Sequence, residues 1–520
     1  MRRILISQIF ILALLAAACG GGSSSDAAAD DAPAVAAAAA NDLVDAAASP
    51  EQAESASDLA DSPADPVPTP GPTPTPTGPR VPASVDPASL PSGASRDFGP
   101  APATPTGDLS PEVLEAVDVL LGDRLLNGII DERSFDAIKI IADSGDPRVS
   151  WWLADLQRIA NNRDLAGSLT EAQEKLLGFQ VNATQSSWGF VTDRLIGWDI
   201  AEPPDYLSYK RNVYLAIEPR WEPLFVDGSE VDWRLLSWGG VFIDDRPYDQ
   251  IDLCTSCIPA ADNPKTTDVA GGDTWLGDET IIFGVSVNGE HRAYPRSIME
   301  VREMVNDTLG GRDFAMPYCT LCGSAQVFFT DELPAGIERP VLRTSGLLSR
   351  SNKVMYDVNT FSIFDTFLGK AVSGPLLEAG IELKQNSVIT TTWGQWKADH
   401  PDTTVLDITL ANGRPDSDLR NTRDADGPIF PIGQVDPRLP VQEDVLGLLS
   451  ANGDPIAFHV ESAIAAIERG EFIEVDGINV ILDAGGVKAV DADGNDLGGH
   501  QAFWFAWSQF YPETDLWPAG

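Results

Sequence analysis

One stretch, Arg312–Phe329, most constrains how this chain of 520 residues folds. An apolar run leads to Cys319 and Cys322, which are separated by two residues, and Gly323 and a second apolar run follow. Aromatic and β-branched residues on both sides of the cysteines favour strands. We therefore predict a strand, a tight turn that carries both cysteines, and a second strand, so that two sulfurs converge on one point.

Four of the five cysteines form two CxxC pairs, Cys254 with Cys257 and Cys319 with Cys322. Two such turns supply the four thiolates of a tetrahedral metal site, most simply a zinc site. In an oxidising compartment the same residues form disulfides. A CxxC turn also suits a redox-active dithiol. The spacing favours metal and export favours disulfides, so zinc, disulfides and a redox dithiol all stay open.

The first 19 residues predict export and a lipid anchor. Arg2 and Arg3 precede an apolar run of about a dozen residues, which is too short to span a membrane comfortably. Small residues then lead to Cys19, as in a bacterial lipobox, and three glycines follow. We predict that Cys19 is lipidated and that the protein is a cell-envelope lipoprotein on the outer face of a bacterial membrane. Plain secretion with cleavage near Cys19 is the alternative.

Residues 20–107 have the composition of a tether. They are rich in Ala, Asp, Ser and Pro, and Pro alternates with Thr between Pro72 and Pro76. Such a segment buries too little apolar surface to offset the entropy cost of ordering it. We predict that residues 20–107 are disordered and hold the folded part away from the membrane.

Residues 108–180 carry the signals of a small helical subdomain. Ser110 and Asp146 each stand before a proline, as a capping residue stands before the first turn of a helix. Ser168 and Glu171 fit a capping box for another helix. Apolar residues between these positions recur at helical spacing. The predicted start points are therefore near residues 110, 146 and 168.

A strand-rich main domain follows a connector, residues 181–247, that is rich in tryptophan. The main domain has a first half, residues 248–412, and a second half, residues 413–520. An Asn-Gly hairpin turn at Asn288 recurs at Asn452. A second pattern also recurs with the same spacing, as Trp393, Trp396, Pro401 and Thr403 and as Trp504, Trp507, Pro512 and Thr514. The predicted fold class is α+β, with a disordered tether, a small helical subdomain and a main domain that contains a degenerate internal repeat.

The cysteine turn and its surroundings resemble a known bacterial family. Residues 318–325 read YCTLCGSA, similar to the YCPLCGTA signature of the family catalogued as domain of unknown function 3179. Matching motifs stand in the family's order between Ile258 and Leu406, among them GEHRAYP, VND and HPDT. Because the family has no agreed activity, the resemblance implies no reaction and no substrate.

The chain departs from the family's pattern at two places. Val301, Arg302 and Glu303 stand where the family usually has Trp-His-Glu. Residues 363–366 read IFDT, where the family has Leu-Trp-Ser-Gln. No role that rests on that His or that Trp is carried over to this chain.

Polar residues near the motifs are candidates for a cleft beside the cysteine turn. Turn capping and paired surface charges explain such residues without any ligand. His291 is a further candidate metal ligand, whereas His400 stands before a proline and most simply caps a turn. The candidate cleft residues are Glu290, Arg292, Glu303, Asn306, Asp307, Tyr318, Arg343, Ser345, Asn352 and Asp357.

The sequence excludes some functions and leaves others open. A net charge of −43 argues against binding to nucleic acid or to anionic lipid through bulk charge. The motifs of the common hydrolases, nucleotide-binding proteins and zinc proteases are not present in the sequence. We predict a lipid-anchored binding or structural module built around a sulfur site, with zinc as the candidate cofactor and with no protein or small-molecule partner identified. The alternative is an extracytoplasmic redox or metal-dependent enzyme that uses the Cys319/Cys322 turn.

Overall fold

The structure, a computed structural model, describes residues 81–181, 186–250, 256–408 and 428–519. Over these residues helices come first and several sheets follow, so the predicted α+β class is confirmed. Within the same ranges, no helix is both long and apolar enough to cross a bilayer. The predicted lipidation at Cys19 and the predicted tether over residues 20–80 lie outside the described residues.

The helical region is built from amphipathic helices whose first turns are capped by side chains. The Ser110 hydroxyl accepts a hydrogen bond from the Val113 amide at 3.3 Å, as predicted. Asp146 caps the short 3₁₀ turn Pro147–Val149, which leads into the next α-helix. The helices are Pro111–Leu121 (α1), Asp123–Leu126 (α2), Glu132–Asp143 (α3), Ser150–Ile159 (α4), Arg163–Leu177 (α5), Ser187–Gly197 (α6) and Tyr206–Leu215 (α7).

Two features of this region differ from the sequence prediction. Helix α5 begins after Asn162, whose side-chain oxygen accepts a hydrogen bond of 3.0 Å from the Leu165 amide. Ser168 therefore lies inside α5, because an equally good cap comes six residues earlier. Helices α6 and α7 lie within the predicted connector, and the helical region consequently extends to Leu215.

Residues 81–107 lie against the folded body, and the predicted tether is wrong for them. Val81–Pro82 (β1) pairs in parallel with Glu471–Val475 (β19). Arg96 forms an ion pair of 3.1 Å with Asp193. The Trp198 indole donates a hydrogen bond of 3.0 Å to the carbonyl of Gly99. These contacts come from partners about a hundred residues or more away, which composition alone does not reveal.

Two sheets surround the cysteine turn. The first contains Ala261–Asp262 (β3), Met304–Leu309 (β7), Arg312–Cys319 (β8), Ser324–Ala325 (β9), Val327–Phe329 (β10) and Gln385–Asn386 (β14). Its strand order is β14-β10-β8-β7-β3, and β9 pairs with β8. The second contains Leu236–Trp238 (β2), Leu342–Ser349 (β11), Asn352–Asp357 (β12) and Ile363–Phe364 (β13), in the order β13-β12-β11-β2. The predicted strand, turn and strand are present as β8, residues 320–323 and β9.

The predicted internal repeat is present as two sheets of the same topology. In both, a hairpin is flanked by an antiparallel strand on one side and by a parallel strand on the other. The first contains Thr266–Thr267 (β4), Ile281–Val287 (β5), Glu290–Pro295 (β6), Ile389–Thr392 (β15) and Thr404–Leu406 (β16), in the order β15-β5-β6-β16-β4. The second contains Asp444–Leu449 (β17), Pro455–His459 (β18), His500–Phe503 (β22) and Asp515–Trp517 (β23), in the order β22-β17-β18-β23.

The repeat extends to the packing of single side chains. The Trp396 indole donates to the Thr403 hydroxyl at 2.9 Å, and the Trp507 indole donates to the Thr514 hydroxyl at 2.8 Å. Each tryptophan lies against a glycine of its hairpin, where an added Cβ would stand 2.3 Å from the Trp396 ring or 2.2 Å from the Trp507 ring. The tryptophans belong to the helices Trp393–Asp399 and Trp504–Phe510.

The two halves differ in the elements that come after the hairpin. In the first, the helix Arg296–Arg302 leads into β7 and β8 and so to the cysteines. In the second, the helix Val460–Glu468 leads into β19, which forms a sheet with β1, Ile478–Asp483 (β20) and Gly486–Val490 (β21). The remaining α-helices in the described residues are the short segments Val269–Gly272 and Gly374–Glu378.

Candidate functional site

Two free cysteines lie side by side in the turn after β8. The Sγ atoms of Cys319 and Cys322 are 2.9 Å apart. The Cys322 amide donates a hydrogen bond of 3.2 Å to the Cys319 carbonyl, which closes the turn. Gly323 follows with a φ of +61°, a conformation that glycine adopts without strain. Cys319 is 2% exposed and Cys322 is fully buried, so the pair lies inside the protein.

The start of β12 and the turn before it supply the polar surroundings of the sulfurs. The Cys322 thiol lies 3.2 Å from Oδ1 of Asn352 and 3.4 Å from the carbonyl of Ser351. The Lys353 amide donates a hydrogen bond of 3.5 Å to Sγ of Cys319. Cys319 therefore accepts from the backbone, whereas Cys322 faces oxygen acceptors.

A buried ion pair stands beside the sulfurs. Nζ of Lys353 lies 3.5 Å from Oε2 of Glu303, and these side chains are 2% and 14% exposed. Lys353 also donates to the Glu303 carbonyl. Burial lowers the pKa of Lys353 against the attraction of Glu303 and Cys319, and burial raises the pKa of Glu303 against the attraction of Lys353. A cation and an anion are thus held together next to Cys319. We call Cys319, Cys322, Asn352, Lys353 and Glu303 the dithiol site.

The surroundings make the two thiols unequal. Burial on its own raises the pKa of Cys319, but hydrogen bonds from Cys322 and from the Lys353 amide outweigh burial and hold that pKa below its ordinary value. Burial and the neighbouring Cys319 raise the pKa of Cys322 well above its ordinary value. Cys319 is therefore the thiol that ionises first, and a thiolate is the nucleophilic form of cysteine.

The other predicted CxxC pair does not share this site in the part of the chain that the structure describes. Cys257 is disulfide-bonded, whereas Cys319 and Cys322 are free, so the partner of Cys257 lies outside the described residues. Cys254 is itself outside them. A sulfur in a disulfide is not a thiolate ligand, so Cys257 does not complete a four-sulfur zinc site with Cys319 and Cys322 in the conformation described. Zinc as a cofactor stays a prediction. Among the described residues, the one group of three potential ligands within 4.8 Å of each other contains no cysteine and consists of Glu443, His459 and Glu461.

The candidate cleft residues separate into several groups, of which one reaches the sulfurs. Glu303 and Asn352 belong to the dithiol site, and the Tyr318 amide donates to the Glu303 carbonyl at 2.9 Å. Arg292 forms an ion pair of 2.7 Å with Asp307. Neither side chain is hydrogen-bonded to a residue of the dithiol site in the part of the chain that the structure describes.

The remaining candidates bond to other parts of the main domain. Asn306 and Arg343 both donate to Oδ1 of Asp262 at 2.8 Å. Three others satisfy nearby backbone groups: the Ser345 hydroxyl donates to the Val354 carbonyl at 2.6 Å, Asp357 accepts from the Val341 amide at 2.8 Å and Glu290 accepts from the Gly310 amide at 3.1 Å.

The two histidines considered from sequence form a separate cluster. The rings of His291 and His400 stack with their centroids 4.0 Å apart. Nδ1 of His291 lies 2.7 Å from the Ser286 hydroxyl, and Nε2 of His400 lies 3.2 Å from Asp483, a residue of the second half. The carbonyl of His400 accepts from the Thr403 amide at 3.0 Å, as a turn-capping residue does.

Sequence reasoning did not single out Lys353. Its signal was a lysine inside β12, a strand whose residues are all buried in the structure. A lysine is rarely fully buried unless it is paired, so its place before the apolar residues Val354 and Met355 points to a buried acidic partner. That Glu303 is the partner depends on how β12 packs beside β8, which the pattern does not show.

Comparison with known proteins gives a family and no activity. Residues 255–494 match the family model described as protein of unknown function (DUF3179). The match includes the second hairpin, so it extends beyond Leu406, where the motif resemblance ends. No curated protein and no solved structure matches the chain.

Proposed function

Residues 255–494 belong to the DUF3179 family, and from the site that this domain carries we propose a redox-active dithiol. In this proposal Cys319 and Cys322 alternate between two thiols and one intramolecular disulfide. The observation that carries it is the 2.9 Å separation of two free sulfurs in a closed turn. Only a small movement converts this arrangement into a disulfide, whose sulfurs lie about 2.05 Å apart.

The chemistry follows from the unequal thiols. The Cys319 thiolate attacks one atom of the disulfide or peroxide bond of the acceptor, and that bond breaks as the other atom leaves with its substituent. Cys322 then attacks the Cys319 sulfur, so that the Cys319–Cys322 disulfide forms and the remaining part of the acceptor leaves. The two thiols lose two protons and two electrons, and an acceptor with a disulfide or peroxide bond takes them up. The backbone amide of Lys353 supports the Cys319 thiolate, while the charges of Lys353 and Glu303 act on it in opposite directions.

The proposal is tested by redox titration. The protein is brought to equilibrium from both the reduced and the oxidised side in buffers of a small thiol and its disulfide from about −300 to −120 mV. Free thiols are then labelled, and the labels on Cys319 and Cys322 are counted by peptide mass. We expect one reversible two-electron transition that Cys319→Ser and Cys322→Ser each abolish. Cys257→Ser is the control and leaves the potential of that transition unchanged. A Cys319/Cys322 pair that stays reduced, or stays oxidised, in every buffer contradicts the proposal.

A structural module is the second candidate function, and the burial of both sulfurs favours it. The Phe503 amide donates a hydrogen bond of 2.8 Å to the Cys322 carbonyl, so the cysteine turn also joins the two halves of the main domain. A structural role predicts that Cys319→Ser and Cys322→Ser lower the melting temperature while the wild-type pair shows no redox transition. The same titration and a thermal unfolding curve separate the two candidates.

The proposed setting is the cell envelope, with a lipid on Cys19. The lipobox-like residues before Cys19 and the glycines after it support this placement. We expect the protein to partition into detergent and Cys19→Ser to move it to the aqueous phase. An unmodified mature protein that begins at another residue contradicts the anchor.

A further inference from the structure

The dithiol site has almost no exposed surface in the conformation that the structure describes. Cys319 is 2% exposed and Cys322 is fully buried. Attack on a disulfide needs three sulfurs in line, so a disulfide on a protein surface cannot reach a sulfur that has no exposed face. A reactant of two or a few non-hydrogen atoms needs far less room. The burial of the sulfurs therefore limits the size of the reactant, whatever its chemical class.

Buried polar groups without partners stand next to the sulfurs. Ser324 pairs directly with Cys319 across β8 and β9, so their side chains share one face. Gln326 lies between β9 and β10, which pair with β8 in one continuous register, and its backbone amide donates a hydrogen bond of 3.1 Å to the Pro317 carbonyl. By the alternation of an extended chain, its side chain is on the same face as that of Ser324. Within the described residues, the Ser324 hydroxyl and both ends of the Gln326 amide have no hydrogen-bond partner, and both residues are fully buried. The Ser351 hydroxyl is also buried without a partner, and its carbonyl contacts Cys322.

Such groups cost free energy unless something binds them. A buried donor or acceptor without a partner is unusual in a folded protein and calls for a water, an ion or a ligand. Here such donors and acceptors belong to Ser324, which is the cross-strand neighbour of Cys319, to Gln326 on the same face, and to Ser351, whose carbonyl contacts Cys322. A ligand that fits them is small, both donates and accepts hydrogen bonds, and meets a thiolate.

We infer that the dithiol site reduces a small hydroperoxide, hydrogen peroxide or a short alkyl hydroperoxide, which Gln326, Ser324 and Ser351 hold beside Cys319. This inference rests on the proposed function and names its substrate class. The Cys319 thiolate attacks the outer peroxide oxygen, an S–O bond forms and the O–O bond breaks. The leaving alkoxide or hydroxide takes up the proton that Cys319 lost on ionisation, and Cys319 becomes a sulfenic acid.

The second thiol completes the cycle. Cys322 attacks the sulfenic sulfur, an S–S bond forms, and the hydroxyl group leaves with the Cys322 proton as water. In total, two thiols and one hydroperoxide give one disulfide, one alcohol (or water) and one water. The sulfurs are oxidised by two electrons and the peroxide bond is reduced by two. A small thiol reductant, of a few non-hydrogen atoms, returns the disulfide to the dithiol in two exchange steps and is itself oxidised to a disulfide.

The test compares oxidants on the reduced, full-length chain. Oxidation of the Cys319/Cys322 pair by hydrogen peroxide, by glutathione disulfide and by a disulfide-bonded protein is followed by thiol labelling at equal oxidant concentrations. We expect hydrogen peroxide to react fastest and the protein disulfide not to react. In Cys322→Ser, a sulfenic acid is expected to remain on Cys319, because it then has no second thiol, and it is trapped by dimedone that is added together with a denaturant.

Variants of the polar residues test the binding groups. We expect Gln326→Leu to lower the rate with hydrogen peroxide about tenfold, through loss of hydrogen bonds to a charged transition state. If Gln326→Leu does not fold, the smaller change Ser324→Ala is used in its place to test the same binding groups. Gln173→Leu is the matched control, since Gln173 is equally buried but lies in helix α5. The control is expected to change the rate less than about twofold.

The outcomes separate this inference from the proposed function. A pair that glutathione disulfide oxidises and hydrogen peroxide does not overturns the inference and leaves the redox dithiol standing. A rate with hydrogen peroxide that neither Gln326→Leu nor Ser324→Ala changes also overturns it. A pair that no oxidant converts overturns the proposed function as well.

Discussion

The amide of Phe503 donates a hydrogen bond of 2.8 Å to the carbonyl of Cys322. Phe503 ends β22 in the second half, and Cys322 lies in the cysteine turn of the first half. The second half contains no cysteine, but through this hydrogen bond it contacts the cysteine turn of the first half. A change in the geometry of the turn, by mutation or by disulfide formation, reaches the contact between the halves.

Gly323→Ala tests this contact. The φ of Gly323 is +61°, and an added Cβ would stand 2.8 Å from the Phe503 ring. Strain and overlap together are expected to lower the free energy of unfolding by about 2–4 kcal/mol. Gly311→Ala is the control, because its φ is +72° and an added Cβ meets nothing within 4 Å. Urea unfolding of both variants measures the difference, and equal effects would contradict a close contact with Phe503.

Gly284→Ala and Gly447→Ala test the repeat. An added Cβ would stand 2.3 Å from the Trp396 ring in the first and 2.2 Å from the Trp507 ring in the second. Because neither ring has room to move in a packed core, we expect each substitution to cost about 1–3 kcal/mol of unfolding free energy. Thermal or urea unfolding checks the values. A repeat without equivalent packing would show one large effect and one negligible effect.

The cysteine turn was predictable because its signals are local. Two cysteines, a glycine and flanking strand formers lie within eighteen residues, and the structure has the strand, the turn and the strand there. The repeat was predictable for the same reason, since the Asn-Gly turns and the tryptophan spacing recur along the chain. Lys353 was not predictable as a neighbour of Cys319, because packing of β12 beside β8 brings it there.

Local signals also misplaced two boundaries. Ser168 and Glu171 have the spacing of a capping box, but a helix already begins after Asn162, and tertiary packing decides between competing starts. Residues 81–107 have the composition of a tether, yet partners such as Asp193 and Phe472 lie far along the chain. Composition indicates how much apolar surface a segment can bury on its own. It does not show which contacts a distant segment makes with it.

Limited proteolysis tests the ordered N-terminal segment. Because residues 81–83 bond to β19 and Arg96 is paired with Asp193, we expect the stable fragment to begin near Val81. Removal of residues 81–107 by truncation is expected to lower the melting temperature, since β19 then loses its parallel partner β1. Mass spectrometry locates the cleavage sites. A stable fragment that begins near Asp108 would contradict this packing.

Neutralising the buried pair tests how the protein supports the Cys319 thiolate. In the double variant Lys353→Met/Glu303→Gln the nearby cation is gone, and no unpaired charge is left buried. The Glu303 carboxylate raises the pKa of Cys319 at least as strongly as the Lys353 ammonium group lowers it, and the hydrogen bond from the Lys353 amide is kept in the variant. We therefore expect the pKa of Cys319 not to rise, so that the rate of alkylation by iodoacetamide increases at the same pH as in the wild type or at a lower pH. Lys210→Met/Asp155→Asn is the control, because it removes a buried pair from the helical region. A pH profile displaced to higher pH in the first variant would mean that the ion pair, and not the backbone amide, supports the thiolate.

His500 makes the stability of the second half sensitive to acid. Its ring is 1% exposed, its Nδ1 lies 2.7 Å from Nε2 of Gln385, and its Nε2 has no partner among the described residues. Burial lowers the pKa of His500 from its ordinary value of 6.5 to about 3. Between these two values the unfolded chain binds a proton at this residue and the folded chain does not.

The stability that comes from keeping His500 neutral is therefore complete above about pH 6.5 and is lost as the pH falls toward about 3. The slope is about 1.4 kcal/mol per pH unit for one proton. In His500→Gln this proton uptake is absent, and we expect the loss of unfolding free energy between pH 7 and pH 4 to be about 3 kcal/mol smaller than in the wild type. Urea unfolding at both pH values measures it for each protein. Equal losses in the two proteins would mean that His500 is protonated in the folded state, in conflict with its enclosed position.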